Sequence, residues 1–153
     1  MAQVTDAITI RSQTTLSQIT TTIGVSHPFD GDDIGQPPKP YSTAALWDTG
    51  ASHCSITKSL AQNLGLHPID KVLVQHAKGQ SYENVYFAIV QVTDKYYLEV
   101  EITECQSSST NFEVIIGMDV ISKGDFSITN VGGQTTFSFR LPSLRSIDYK
   151  AEL

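Results

Sequence analysis

The feature that most constrains the fold is an alternation of apolar or β-branched residues with polar ones along much of the chain. The alternation is clearest over residues 96–102, and short turn sequences such as Thr93-Asp94-Lys95 and Val131-Gly132-Gly133 interrupt it. Period-two alternation is typical of strands with one buried face, and closely spaced turns join such strands into antiparallel hairpins. The sequence therefore predicts a mainly β fold built from antiparallel hairpins.

The 153 residues contain no internal repeat and no low-complexity segment, so we expect residues 1–153 to form a single domain with its own core. Two short helices are expected among the strands: one that Thr57 caps and Gly65 ends, and one over residues 118–122. A loop is expected over residues 26–40. The expected strands lie within residues 7–25 (one or two strands) and over residues 44–47, 72–74, 85–92, 96–102, 112–116, 125–130 and 134–140.

Charge and hydropathy exclude several classes of partner. Lys and Arg total 10 against 16 for Asp and Glu, which gives a net charge of -6 without any basic run. Nucleic acid and anionic membrane are therefore not expected as partners. No stretch approaches the roughly eighteen apolar residues of a membrane span, and residues 1–11 lack the pattern of a secretory signal. We expect a soluble, cytoplasmic protein.

Cysteine and histidine positions give no metal site. Cys54 and Cys105 lie far apart and outside any CxxC pair, and His53 and His76 have no paired ligand spacing. We expect two buried free thiols, and histidines that lie at the surface or behind the site residues, with no metal and no cofactor.

An acidic loop offers a calcium alternative that we reject. Asp30, Asp32 and Gly35 fall at the first, third and sixth places of a calcium-binding loop. However, Ile34 occupies a ligand position, and Tyr41 stands where a bidentate glutamate belongs. We interpret this segment as a solvated loop.

One tripeptide is the best candidate for chemistry. Asp48-Thr49-Gly50 directly follows the apolar run Ala44-Ala45-Leu46-Trp47, and Ala51-Ser52 continues it. An aspartate placed there leaves a buried strand and enters a tight glycine turn, where its carboxylate can face a cleft. Some seventy residues later, Val114-Ile115-Ile116 runs into Gly117-Met118-Asp119.

This order resembles that of the retroviral-type aspartic proteases, the retropepsins. Their order is a strand, an Asp-Thr-Gly-Ala turn, a hairpin flap, and an apolar strand that ends in glycine before a short helix. The resemblance covers about residues 41–130, with a candidate flap near residues 76–81. The sequences of residues 59–66 and 117–119 resemble the cellular and bacterial relatives more than the viral enzymes. The resemblance implies a closed β barrel that is active as a twofold homodimer.

The chemistry of this family needs two carboxylates. One deprotonates a water while the other protonates the peptide carbonyl, and two carboxylates about 3 Å apart share one proton. Because the tripeptide occurs once in this chain, the resemblance implies a dyad formed by Asp48 of two copies on a twofold axis. The substrate would be an extended peptide or a polyprotein.

The resemblance also assigns roles by position. Asp48 would be catalytic, Thr49 would lock the two turns together, and Gly50 would offer its carbonyl to substrate. Asp119 is expected to be a structural residue at the start of a helix. The expected substrate-binding residues are Gly50, Ala51 and Ser52 in the turn, with Ala77, Lys78 and Gly79 at the flap tip.

Two alternatives stay open. The chain could be a noncatalytic β module that dimerises or binds extended peptides, in which case Asp48 is an ordinary turn residue. The tail, residues 142–153, could interleave with a partner or fray.

Overall fold

The computed structural model describes residues 4–29, 38–76, 78–106 and 111–153. The acidic segment that contains Asp30, Asp32, Ile34 and Gly35 lies outside the described residues, as does Ala77. The elements are β1 (Asp6–Arg11), β2 (Thr20–Ser26), β3 (Tyr41–Trp47), β4 (Ser55–Thr57), α1 (Lys58–Asn63), β5 (Asp70–His76), β6 (Gly79–Gln91), β7 (Tyr97–Cys105), β8 (Val114–Ile116), α2 (Met118–Ile121), β9 (Asp125–Thr129) and β10 (Thr136–Leu141), with 3-10 turns at Val131–Gly133 and Tyr149–Glu152.

The strands form two sheets. The larger has the order β2-β3-β8-β4-β7-β6-β5, and β2 pairs additionally with the far end of β6, where Val25 lies opposite Val90. The smaller has the order β1-β10-β9. The mainly β prediction is therefore confirmed, and so is the expectation of two short helices.

Two pairs of neighbouring strands in the larger sheet are parallel. β3 pairs with β8 and β4 pairs with β7 in parallel. Parallel neighbours need a long connection, and alternation along a strand does not reveal whether its neighbour is parallel or antiparallel. The prediction of antiparallel hairpins is wrong for these two pairs.

The ends of α1 follow the predicted capping residues. The Thr57 hydroxyl accepts a hydrogen bond from the Leu60 N–H at 3.4 Å, and Gly65 has a φ of 66° just beyond the helix. A left-handed residue at this place is the usual stop for a helix, and glycine adopts it without steric cost. Leu60 and Ala61 are the buried residues of the helix.

An aromatic cluster packs the two sheets against each other. The Trp47 ring centroid lies 4.8 Å from that of Phe139, 5.1 Å from that of Phe137 and 6.1 Å from that of Phe126. Its indole N–H donates to the Thr21 hydroxyl at 2.9 Å. Because Trp47 precedes Asp48, this cluster packs against the end of β3 at the Asp48 turn.

Within the described ranges, no helix is both long and apolar enough to cross a bilayer.

Candidate active site

Asp48 stands where β3 ends, held in place by its backbone. Trp47 pairs with Ile116 in the parallel β3–β8 ladder, and the Asp48 N–H donates to the Ile116 carbonyl at 3.0 Å. The ladder therefore reaches the aspartate itself. The Asp48 side chain is half-buried.

A tight turn fixes the Asp48 carboxylate. The Gly50 N–H donates to Asp48 Oδ1 at 2.8 Å, and the Ala51 N–H donates to the Asp48 carbonyl at 3.2 Å. A Cβ on Gly50 would lie 3.1 Å from Asp48 Oδ1, so a larger residue would crowd the carboxylate. An aspartate that accepts the N–H two residues ahead forms a turn of its own, which orients the side chain.

The start of α2 packs directly on this turn. The Met118 N–H donates to the Ala51 carbonyl at 2.8 Å, and the Asp119 N–H donates to the Ser52 carbonyl at 3.2 Å. A Cβ on Gly117 would lie 2.6 Å from the carbonyl carbon and oxygen of His53. Glycine is therefore required at position 117 by the close approach of two backbones.

A buried thiol and a carboxylate complete the connection. Cys54 donates its N–H to Asp119 Oδ2 at 3.0 Å and its S–H to Asp119 Oδ1 at 3.1 Å. Burial, together with the Asp119 carboxylate, raises the pKa of the Cys54 thiol well above its ordinary value. The thiol therefore stays protonated at neutral pH and remains a donor. Asp119 also accepts the Val120 N–H at 3.0 Å, as expected of a helix-start residue.

Sequence reasoning missed this pairing. Cys54 was expected to be only a buried free thiol, and Asp119 only a helix-start residue. Their side chains meet across 65 positions of sequence, and neither has a local pattern that reports a partner at that distance. The apolar run that ends in Gly117 is the one sequence feature that indicated where the two segments meet.

The predicted site residues fall into two groups. Thr49, Gly50 and Ser52 are exposed on the turn, and Ala51 is half-buried. Lys78 and Gly79 are exposed at the connection between β5 and β6, where His76 pairs with Gly79. Among the described residues, hydrogen bonds join the turn to the α2 segment rather than to Lys78 or Gly79.

The hairpin extends further than expected. The polar stretch at residues 75–81 was predicted to separate two strands, but most of it belongs to β5 and β6. Cross-strand pairing carries the ladder through polar residues that are exposed and need no buried face. The β5–β6 hairpin lies at the predicted flap position, and its role as a flap stays a prediction.

A metal site or a cavity elsewhere in the described part of the chain would be an alternative to the Asp48 turn. No three His, Cys, Asp or Glu side chains there lie close enough to hold a metal ion. A cavity of about 800 Å³ opens at the other end of β3, beside Thr43 and Glu113. The Thr43 hydroxyl donates to the Glu113 carboxylate at 2.7 Å, which gives that end a structural pair.

A family model connects the turn with known proteins. The model described as gag-polyprotein putative aspartyl protease matches residues 40–123, which is more than half of the chain. The match begins just before β3 and ends just after α2, so it contains both segments of the site. No curated protein matches the chain at significant similarity.

Solved structures give a second comparison. A retropepsin-like aspartic protease from Rickettsia conorii aligns with 92% of this chain and 98% of its own, at a TM-score of 0.52 and 16% identity. The protease of simian foamy virus (mac) aligns with 68% of this chain and 92% of its own, at a TM-score of 0.45 and 13% identity. The retroviral protease-like domain of Ddi1 from Leishmania major aligns with 71% of this chain and 89% of its own, at a TM-score of 0.41 and 18% identity. At these identities a likeness bears on the fold alone, and of the three the Rickettsia protein has the TM-score that supports a shared fold.

Proposed function

The chain belongs to the gag-polyprotein putative aspartyl protease family, and from that membership we propose that it is an aspartic endopeptidase that hydrolyses peptide bonds. The observation that carries the proposal is the Asp48 turn, whose carboxylate accepts the Gly50 N–H and whose backbone is bonded to the start of α2. An aspartate held in this way has a fixed side-chain orientation. Family membership and site geometry thus support the same reaction.

The proposed mechanism needs a second carboxylate, which a second copy supplies. One Asp48 carboxylate takes a proton from a water, and the other, protonated, donates to the carbonyl oxygen of the scissile peptide. The water oxygen bonds to the carbonyl carbon to form a tetrahedral intermediate. The carboxyl group that took the water proton then donates it to the peptide nitrogen, the C–N bond breaks, and a hydroxyl proton of the intermediate passes to the other carboxylate, which releases both products and restores the dyad. Asp119 is an unsuitable second carboxylate in the same chain because both of its oxygens accept bonds from Cys54.

The remaining site residues have supporting roles in this proposal. Thr49 is exposed in the single chain, where its hydroxyl is available to a partner's turn. The exposed Gly50 offers its carbonyl to the main chain of substrate, and Ala51 and Ser52 border the bound peptide. Substrate would lie extended under the β5–β6 hairpin, with Ala77, Lys78 and Gly79 at the tip.

The proposal also covers the domain organisation, the closure of the barrel, the oligomeric state and the substrate. We propose one domain over residues 1–153, a closed barrel supported by the β2–β6 pairing, a homodimer, and a peptide or polyprotein substrate. A cytoplasmic location stays a prediction from the sequence.

The experiment compares the wild type, Asp48→Asn and Asp94→Asn on an unfolded protein substrate, with and without a pepstatin-class inhibitor. Asp94 is an exposed aspartate in the β6–β7 connection, so its variant is a matched control. We expect cleavage by the wild type and the control, inhibition of both, and loss of cleavage in Asp48→Asn. Cleavage that survives Asp48→Asn would refute the assignment. A folded wild-type dimer that cleaves nothing would favour the noncatalytic peptide-binding module.

A further inference from the structure

A second cavity lies apart from the Asp48 turn. It has a volume of about 460 Å³ and is formed by residues that follow β2, residues that follow α1, and β6. Its lining is mostly apolar and includes His27, Phe29, Leu64, Leu66, Ile69 and Phe87. None of these residues takes part in the hydrogen bonds that hold the Asp48 turn.

Three apolar side chains of this cavity are open to solvent. Phe29 is 49% exposed, Ile69 47% and Phe87 38%. Large apolar side chains that are exposed together in a concave surface commonly mark a place where a partner binds. Leu66, which belongs to the hydrophobic core, gives the cavity a rigid wall.

Phe87 points to the face of the sheet that is turned away from the core. Its neighbours Tyr86 and Ala88 are buried in the core cluster, and successive side chains of a strand point to opposite faces. The cavity beside Phe87 therefore lies on the outer face of β6.

Acidic side chains surround Phe87 on this outer face. Pairing of β6 with β5 and β7 places three carboxylates on it: Asp70, Glu99 and Glu101, which lie opposite residues 85, 89 and 87. Paired residues of neighbouring strands point to the same face, and residues 85, 87 and 89 share one face of β6. All three carboxylate residues are exposed. We call Asp70, Glu99 and Glu101 the acidic rim.

No cation neutralises the acidic rim in the part of the chain that the structure describes. The one ion pair found there joins Arg140 to Asp125 in the smaller sheet. Lys71 lies opposite Asn84 and so points to the other face of the hairpin. Like charges within a Debye length, about 10 Å at 0.1 M salt, add their potentials and attract a cationic group.

We propose that this cavity and its acidic rim bind a segment of another protein in which a large apolar side chain is flanked by lysine or arginine. The apolar side chain enters the cavity beside Phe87, and the flanking cations lie against the acidic rim. Burial of the apolar group supplies affinity, and the charges select among partners. A second copy of this chain is a poorer occupant, because the chain has a net charge of -6 and no basic run. The proposal goes beyond the proposed function and does not depend on it.

Fluorescence anisotropy of labelled peptides tests the proposal. The probe is the peptide Lys-Lys-Leu-Phe-Lys-Lys, and Asp48→Asn chains are used so that the peptide is not cleaved. One comparison peptide has glutamate in place of every lysine, and the other has alanine in place of leucine and phenylalanine. We expect the probe to bind with a dissociation constant on the order of 10–100 μM in about 50 mM salt, and each comparison peptide to bind at least about tenfold more weakly.

Two further substitutions in the Asp48→Asn chain locate the bound peptide. Glu101→Lys reverses one exposed charge of the acidic rim. It should raise the dissociation constant at least about fivefold, and this effect should shrink in about 0.5 M salt because salt screens exposed charges. Phe87→Ser removes an apolar wall of the cavity and should raise the constant by a similar factor at both salt concentrations, because salt does not screen an apolar contact.

The matched controls are Glu152→Lys and Val131→Ser, which make the same kinds of change at exposed positions elsewhere. Both should leave the dissociation constant unchanged. Circular dichroism reports folding, and Glu101→Lys keeps the proposal testable if Phe87→Ser does not fold, because position 101 is exposed.

Several results would overturn the proposal. They are absence of saturable probe binding up to about 1 mM, equal binding of the glutamate peptide, or a dissociation constant that neither Glu101→Lys nor Phe87→Ser changes. If Phe87→Ser instead weakened self-association of the chain in sedimentation equilibrium and left probe binding intact, the surface would be a contact between copies. None of these results bears on the proposed cleavage, because the comparison of the wild type with Asp48→Asn involves neither Phe87 nor Glu101.

Discussion

Asp125 shows how a single carboxylate can join three segments of this chain. It accepts the Ser143 hydroxyl at 2.5 Å, the Arg140 Nε–H at 3.0 Å and the Leu144 N–H at 3.0 Å. These bonds to the ionised form hold the pKa of the Asp125 carboxyl well below its ordinary value of 3.8. The start of β9, the end of β10 and the first part of the tail are thereby linked, so this part of the tail is bound rather than frayed.

The lowered pKa of Asp125 predicts a pH-dependent contribution to stability. Because the folded-state pKa lies below the unfolded one, the stabilisation is complete above the unfolded pKa and is lost as pH falls through the folded pKa. The gap in unfolding free energy between the wild type and Asp125→Asn should therefore be largest near about pH 6 and shrink toward about pH 2. Urea unfolding at a series of pH values measures it.

The matched control for this prediction is Asp94→Asn, the same chemical change at an exposed aspartate. We expect it to alter the unfolding free energy by less than about 0.5 kcal/mol. A gap for Asp125→Asn that stays constant across the acid range would contradict the prediction.

Residue-level features could be predicted where their cause is local. Asp48, Thr49 and Gly50 form one turn, and the capping of α1 by Thr57 depends on residues within three positions. The Cys54–Asp119 bonds could not be predicted, because they depend on where two distant segments meet in the fold.

At the scale of elements, the junction of β8 and α2 decides how the Asp48 turn is held. Gly117→Ala should displace the turn, since its Cβ would lie 2.6 Å from backbone atoms of His53. We expect a loss of about 1–3 kcal/mol in unfolding free energy, as for other overpacked sites. The specific activity of the folded protein should fall at least about tenfold, because the carboxylate loses its position. Thermal or urea unfolding and peptidase assays measure the two effects.

Gly65→Ala provides the comparison. Its Cβ would meet nothing within 4 Å, but the φ of 66° strains any residue other than glycine. A cost of about 1–2 kcal/mol is expected. Because Gly65 ends α1 away from the Asp48 turn, the specific activity should stay at the wild-type level. Full activity in Gly117→Ala would show that the close approach to His53 is unimportant.

Element boundaries could be predicted best where a residue type stops an element. Gly65 ends α1, and the turn around Gly132 and Gly133 separates β9 from β10. The start of β6 could not be predicted, since its first residues are polar and exposed and join the strand only through pairing with β5.

At the scale of the whole molecule, the proposed function requires that two copies share one site. Wild-type chains mixed with Asp48→Asn chains in equal amounts, at fixed total concentration, should keep about one quarter of the activity after subunit exchange. Independent active monomers would keep about one half, because random pairing then has no effect. Initial rates on a peptide substrate distinguish these values. Mixing with the active Asp94→Asn chain should leave the activity per chain unchanged.

The alternation of apolar and polar residues cannot predict which strands pair with each other across the whole molecule. The pattern indicates strands and the faces they bury, which gave the mainly β fold. It does not say that β1 pairs with β10, where Ile8 lies opposite Phe139, or that β3 and β8 run parallel. The partner of each strand and the direction of pairing depend on contacts between distant segments, which the local sequence pattern does not report.

Trp47 gives the molecule a built-in optical reporter. It is the one tryptophan of the chain, it is only 6% exposed, and it packs between the two sheets directly before Asp48. Indole emission shifts to longer wavelength when water reaches the ring. Intrinsic fluorescence therefore reports the separation of the small sheet from the large one without any label, at the position in the fold where the Asp48 turn begins.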